Sequence, residues 1–396
     1  MSFANRYIDR NINYPAFVKE LPSSNLGMIV VIPCYDEPEL LNTIRSLAAC
    51  LQPANDVEVF VVVNQSEQSP ERVRLQNRQT IEELAEWSLN HHPFFKLHVL
   101  APSPFRKKHA GAGLARKTGM DEAVRRFAEL EKPEGLIISL DADTFVAPNY
   151  FIELEAYFRT HEKAVGATIK FRHRTEELTN LRHRQGMQLY EAYLRYYKQA
   201  MEFTGFPHAI YTVGSAFAVR VEAYVKQGGM NRKQAGEDFY FLHKLTQLGP
   251  IEEINQTTVF PSARLSNRVP FGTGPVLNKW LEGDESLRKT YHFQSFKDLK
   301  CLFELLPALY KSTAVEIPPL LEQLPKPVVS FLKDDNFEEA LAEIRSNSSK
   351  YDRFRKRFFL YFNAFKILKY LNFAHPQFYE QQDLDEAVQQ LSEQAF

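Results

Sequence analysis

Four short apolar runs, Met28–Ile32, Val57–Val63, Lys96–Leu100 and Leu136–Leu140, recur in the N-terminal third with helical patterning between them. Pro38 opens a helix to about Cys50, with Leu40, Leu41, Ile44 and Leu47 on one face. Thr80-Ile81-Glu82-Glu83 reads as a capping box that starts a helix to about Leu89. A basic loop, Phe105 to Gly113, leads into a helix ending near Leu130. Strand and helix alternating at this spacing predict an α/β fold with a central, mostly parallel sheet flanked by helices. Pro33 reads as the end of the first strand.

The fourth run ends in Asp141-Ala142-Asp143. Residues two apart in an extended chain point to the same side, so both carboxylates can meet beyond the strand's C-terminal end, where open α/β sheets bind ligands. Two carboxylates aimed at one point repel unless a cation or a shared proton lies between them. A hard divalent cation that completes its shell from phosphate and water suits the place. A loop pair of aspartates, one of them a helix cap, is the plainer alternative.

Other polar groups follow the same strands. Pro33-Cys34-Tyr35-Asp36-Glu37, after the first, offers a ring to a base and a carboxylate to a ribose, or simply packs and caps. Asn64-Gln65-Ser66 follows the second. Lys107 to Lys117 combines small residues with Arg116, which can reach a phosphate oxygen, but it lacks the spacing of a dinucleotide fingerprint or a P-loop. Gly236-Glu237-Asp238 opens a helix, where the dipole holds a carboxylate ionised as a base or a cap. Arg264 and Arg268, before Phe271-Gly272-Thr273-Gly274, read as a phosphate clamp or a surface turn.

From about Val165 the pattern turns α+β, with a strand at Ala164–Phe171, a helix over Glu176–Phe203, a strand at Tyr211–Val219 and a helix over Gly236–Leu248. The expected organisation is an arm over 1–27, a main α/β domain over 28–275 divided near 145 into two halves, and a helical region over 276–396. A net charge of -1 argues against a general nucleic-acid binder. Three cysteines without metal-ligand spacing fit a reducing compartment. The N-terminus lacks a signal-peptide core, and no apolar run reaches the roughly 18 residues of a membrane span. The expected setting is cytoplasmic, and the two glycosylation sequons, at Asn255 and Asn347, are read as chance.

In order and spacing these pieces resemble the family 2 glycosyltransferases of GT-A fold, from about Gly27 to Leu248. The likeness is carried by Val30 to Glu37, by Gly111 with Ala115-Arg116-Lys117-Thr118-Gly119, and by Asp141-Ala142-Asp143. Gly214 to Arg220 and Gly228-Gly229 with Gly236-Glu237-Asp238 complete it. The resemblance makes 28–275 a catalytic domain, with a nucleotide-sugar-binding half over 28–145 and an acceptor half over 146–275, and implies a nucleotide-diphosphate sugar donor, UDP- or GDP-linked, and a Mn²⁺ or Mg²⁺ ion. Pro33, Tyr35 and Glu37 would line the base and ribose pocket. Asn64 stands where the family usually has an aspartate that bonds uracil, a departure that leaves the base open. Arg116 would face the nucleotide or pyrophosphate, Asp141 the ribose or metal, and Asp143 the metal directly. Asp238 would be the catalytic base, with Glu237 on the acceptor side.

The outcome implied is metal-dependent transfer to a glycan, glycolipid or small hydroxyl compound with inversion. The Gln-x-x-Arg-Trp element of processive polymerases is absent, so a single transfer is expected. Two alternatives are a retaining transferase acting on a small phosphorylated acceptor and a silent nucleotide-binding module. Acceptor contacts are expected from loops between Phe171 and Ile210. Outside the likeness, Phe354, Phe358, Tyr361, Phe362, Phe365 and Leu368 form one helical stripe rimmed by arginine and lysine. A basic amphipathic helix over 350–372 can rest on the inner face of a membrane or pack on protein.

Overall fold

The computed structural model describes residues 2–232, 236–265 and 272–394, which fall into two compact units. The first comprises Met1–Thr179 with Thr212–Pro275, and the second Asn180–Tyr211 with Val276–Phe396.

The chain begins with α1 (Asn5–Asn11), β1 (Leu26–Cys34), α2 (Leu40–Ala48), β2 (Asp56–Val63), α3 (Glu71–Asn90) and β3 (Phe95–Leu100). It continues through α4 (Ala112–Glu129), β4 (Leu136–Ser139), β5 (Phe145–Val146), α5 (Tyr150–Thr160), β6 (Gly166–Phe171) and α6 (Leu181–Phe203). Then come β7 (Phe217–Arg220), α7 (Val221–Gln227), α8 (Glu237–Leu245) and β8 (Ile251–Phe260). All but α6 belong to the first unit; α6, inside the span expected for the catalytic domain, groups with the C-terminal residues.

The eight strands form one mixed sheet in the order β3-β2-β1-β4-β7-β6-β8-β5. Four of its seven pairings are parallel, including β3-β2, β2-β1 and β1-β4. The expected α/β architecture is therefore present, with antiparallel β7 joining the two parallel parts. β1 and β2 are buried almost throughout, which is why their runs read as continuously apolar.

Some local expectations are corrected. β1 continues through Pro33 to Cys34. β4 ends at Ser139 opposite Val31, so no partner on that side needs the N–H that proline lacks. α3 starts at Glu71 behind Pro70, so Thr80 sits mid-helix, buried. β8 was not expected; its polar residues broke up the apolar pattern that marks a strand.

α4 is rich in charge yet lies almost wholly buried. Unpaired buried charges are costly, so each finds a partner. Arg126 pairs with Glu58 of β2. Lys117 donates to Asp121 at 2.8 Å, and Asp121 also accepts from the hydroxyls of Tyr7 (2.7 Å) and Tyr224 (2.8 Å). Glu122 accepts the amides of Phe17 and Val18 at 2.9 and 3.0 Å. The N-terminal arm thus lies along α4 because it satisfies these charges.

The second unit contains α6 and α9 (Thr273–Leu281, with Val276 onward in this unit), β9 (Lys289–Thr290), α10 (Phe293–Glu304), α11 (Leu306–Lys311), α12 (Ile317–Glu322) and α13 (Lys326–Asp334). It ends with α14 (Phe337–Ser346), α15 (Tyr351–Tyr361), α16 (Ala364–Gln377), β10 (Gln382–Asp383) and α17 (Leu384–Gln394). Phe354, Phe358 and Phe362, from the stripe considered for a membrane face, are fully buried. Phe358 and Phe362 stack at 5.8 Å, and both meet Phe303 edge-on. Among the described residues, no helix is long and apolar enough to cross a membrane.

α4 can press against β1 and β2 only because position 119 is glycine. A Cβ there would stand 2.4 Å from Val31 Cγ1 and 2.8 Å from Val62 Cγ2. Gly119→Ala is expected to cost about 1–3 kcal/mol of stability through overpacking, read as a lower denaturant midpoint with an unchanged slope.

Candidate active site

The polar groups singled out in the sequence meet at the C-terminal ends of β1, β2 and β4, within the first unit. β1 and β2 deliver Glu37 and Asn64, and β4 delivers Asp141 and Asp143. α4 contributes Arg116 from its second turn, and the first turn of α8 contributes Glu237 and Asp238. Arg264 follows β8.

Arg116 is buried and joins two carboxylates. Its Nη2 donates to Asp141 Oδ1 at 2.7 Å and its Nη1 to Glu237. Burial by itself would lower its pKa, but Glu237 and Asp141 outweigh that and hold the guanidinium charged. Its Nε is buried without a hydrogen-bond partner among the described residues. Gly214 backs the guanidinium: a Cβ there would lie 2.9 Å from Nη2 and 3.3 Å from Asp238 Oδ2. Ser139 holds Gly214 in place, its hydroxyl donating to the Gly214 carbonyl at 2.6 Å.

Arg264 makes a second bridge. It grips Glu37 with both terminal nitrogens, Nη1 at 2.8 Å from Oε1, while Nη2 also lies 3.0 Å from Asp143 Oδ2. Glu37 is only 1% exposed, whereas Asp143 retains 29% of its side-chain exposure. The turn that presents Glu37 is braced by Asp36, at φ 51°, paired with Arg72. Arg268, the other half of the expected clamp, lies outside the described residues.

Asn64 is buried, its Nδ2 donating to the Cys34 carbonyl at 2.9 Å, while its backbone carbonyl accepts from Asn77 Nδ2 at 2.8 Å. The first bond commits the side-chain Nδ2 to the backbone at the end of β1. Pro33 and Tyr35 are half-buried nearby in sequence. Sequence reasoning identified these residues one by one but missed the pairs: Glu37 with Arg264 and Arg116 with Glu237 are 227 and 121 residues apart. It also missed Gly214 as the floor of the site, for which the small-residue run Gly214-Ser215-Ala216 was the available signal.

Asp238 corrects one expectation. Its Oδ1 accepts the Phe239 amide at 2.7 Å at the helix start, an arrangement expected to keep it ionised. Burial and the neighbouring Glu237 outweigh this and Arg116, pushing its pKa up from 3.8 to about 7.

Asp141 and Asp143 are hard oxygen donors, partly exposed, and each already lies against a cation. That donor set fits a divalent ion whose remaining ligands come from substrate and water. Among the described residues, no group of three His, Cys, Asp or Glu residues could hold a metal without such help.

Between pH 3.8 and about 7 the native Asp238 keeps a proton that the unfolded chain has released. Its contribution to stability therefore falls as pH rises through that window, and above it the ionised form is a burden. Asp238→Asn is expected to raise the melting temperature at pH 8, with the gain shrinking toward pH 4. Calorimetry across that range checks it, and a variant melting below wild type at pH 8 would contradict it.

The family model described as "Glycosyl transferase family 2" matches residues 29–228, just over half of the chain. No curated protein matches the sequence. Among solved structures, TarS 1–349 of S. aureus in complex with UDP-GlcNAc is 13% identical with a TM-score of 0.45, covering 85% of this chain and 92% of that one. The mannosyltransferase PcManGT from Pyrobaculum calidifontis, in complex with GDP-Man and Mn²⁺, is 14% identical with a TM-score of 0.39, covering 88% and 93%. By its family match the chain is a glycosyltransferase and belongs to glycosyl transferase family 2.

Proposed function

We propose that the chain moves a sugar from a UDP- or GDP-linked donor to an acceptor hydroxyl, inverting the anomeric centre by direct displacement. The observation that carries the reading is Asp238, a carboxylate with a pKa near 7 beside a buried guanidinium. A base is most effective when its pKa lies near the working pH, ionised enough to act and basic enough to take a proton.

In this reading the acceptor oxygen bonds to the anomeric carbon as the bond from that carbon to the diphosphate oxygen breaks. The acceptor proton passes to an Asp238 oxygen, and the nucleoside diphosphate leaves with the electron pair. Arg116 and Arg264 stabilise the charge growing on the leaving group. Asp143, with Asp141, would hold a Mn²⁺ or Mg²⁺ ion, which when bound supplies Lewis-acid stabilisation to the diphosphate. Asn64 Oδ1 would accept the N3–H of uracil or the N1–H of guanine, so this residue admits either base. Tyr35, Pro33 and Glu37 would complete the nucleoside pocket, and Glu237 the acceptor side.

A melting-curve panel of UDP, GDP, UDP-GlcNAc and GDP-mannose, with and without Mn²⁺, tests the donor half. A bound nucleotide at about 100 times its Kd adds roughly 2.7 kcal/mol of stability, and the shift is expected to lose its Mn²⁺ dependence in Asp143→Ala. With the donor known, Asp238→Asn is expected to keep the donor shift while turnover falls on the order of 10²- to 10⁴-fold. Wild-type kcat/KM should climb through pH 7. Retained anomeric configuration, full activity of Asp238→Asn, or no shift with any nucleotide would each count against the reading.

A further inference from the structure

Arg264 lies against both Glu37 and Asp143, and the two carboxylates hold it unequally. At the dry end its guanidinium grips Glu37 through both terminal nitrogens, and Glu37 is 1% exposed. Removing the partner of such a buried carboxylate leaves an uncompensated charge, so this end is not readily given up. On the wetter side Nη2, one of the two nitrogens on Glu37, also approaches Asp143 Oδ2 at 3.0 Å, and both groups keep more than a quarter of their exposure. Partly exposed ion pairs are worth little and are screened by solvent. The weak link is therefore on Asp143.

We propose that Arg264 is the internal counter-cation of Asp143, and that a divalent ion gains Asp143 by displacing the guanidinium while Glu37 keeps it tethered at the site. This rests on the reading of Asp143 as a metal ligand. The reasoning is electrostatic. A divalent ion and a guanidinium held against the same carboxylate oxygen repel each other, so occupancy by one weakens the other. The exchange conserves a counter-charge for Asp143 in both states, and it leaves a tethered arginine with its Asp143-facing nitrogen released. The Nη2 hydrogen turned away from Asp143 can then donate to an anionic oxygen of whatever the metal carries, while Nη2 stays on Glu37. Arg264 is a positioning residue in the empty enzyme and a phosphate donor only after the exchange.

The test measures Mn²⁺ binding to the full chain by the loss of the free-ion electron paramagnetic resonance signal, so it does not depend on turnover. Arg264→Gln is expected to bind Mn²⁺ roughly two- to fivefold more tightly than wild type, the range set by losing a partly exposed ion pair. It should also melt lower without metal, because the buried Glu37 carboxylate loses the Arg264 charge, and show a larger Mn²⁺-induced rise. Arg264→Lys retains a charge for Glu37, guards against a folding failure, and is expected to fall between the two. Equal or weaker Mn²⁺ binding by both variants overturns the exchange. Repeating the titration with UDP and GDP separates the two readings. Mn²⁺ binding by wild type that Asp143→Ala abolishes, without any gain in the Arg264 variants, leaves the metal site standing and removes only the exchange. Mn²⁺ binding unaffected by Asp143→Ala removes both.

Discussion

The buried guanidinium of Arg116 ties together three parts of the first unit that the chain supplies far apart. A charge taken out of water must be met by opposite charge and by hydrogen bonds, or its helix cannot stay where it is. Asp141 after β4 and Glu237 at the start of α8 meet that demand, one on each terminal nitrogen. Because α4 is packed against β1 and β2 at Gly119, the guanidinium is held relative to the sheet, and the two carboxylates are held relative to it. The same logic extends along α4. Glu58, Tyr7, Tyr224 and the amides of the N-terminal arm are positioned by charges on that helix.

Two arginines, each shared between two carboxylates, set the electrostatics of the site. Arg116 links Asp141 to Glu237, and Arg264 links Glu37 to Asp143. Asp238 lies next to this system with its closest guanidinium already committed to others. Burial and the Glu237 charge then decide its protonation, and its pKa climbs toward neutrality although it sits at a helix N-terminus. A dipole worth a fraction of a charge yields here to desolvation plus a neighbouring full charge.

In the second unit, Phe354, Phe358 and Phe362 of the aromatic stripe are buried among helices of the same unit, while Tyr361, Phe365 and Leu368 stay half-buried. Phe303, Phe331 and Phe337 receive Phe358, Phe362 and Tyr370 at centroid distances of 5.5 to 6.2 Å. An amphipathic pattern specifies that one face will be covered; it does not specify by what.

The sequence by itself determined the strand-helix alternation, the α/β class and most of the polar residues that gather at the strand ends. These are local properties: a run such as Leu136–Ser139 is apolar because both its faces are buried, and Asp141 and Asp143 follow it directly in the chain. Elements whose burial is incomplete, such as β8, left no such imprint, and the start of α3 was obscured because Thr80 resembles a cap while lying inside the helix. Only the tertiary structure decided which charge meets which. The local pattern around Glu37 and Arg116 names no partner for either charge, yet each is engaged by a residue more than 120 positions away. Coulombic pairing depends on distance in space, and the pKa of Asp238 depends on what is excluded around it. Neither quantity is defined until the chain has folded.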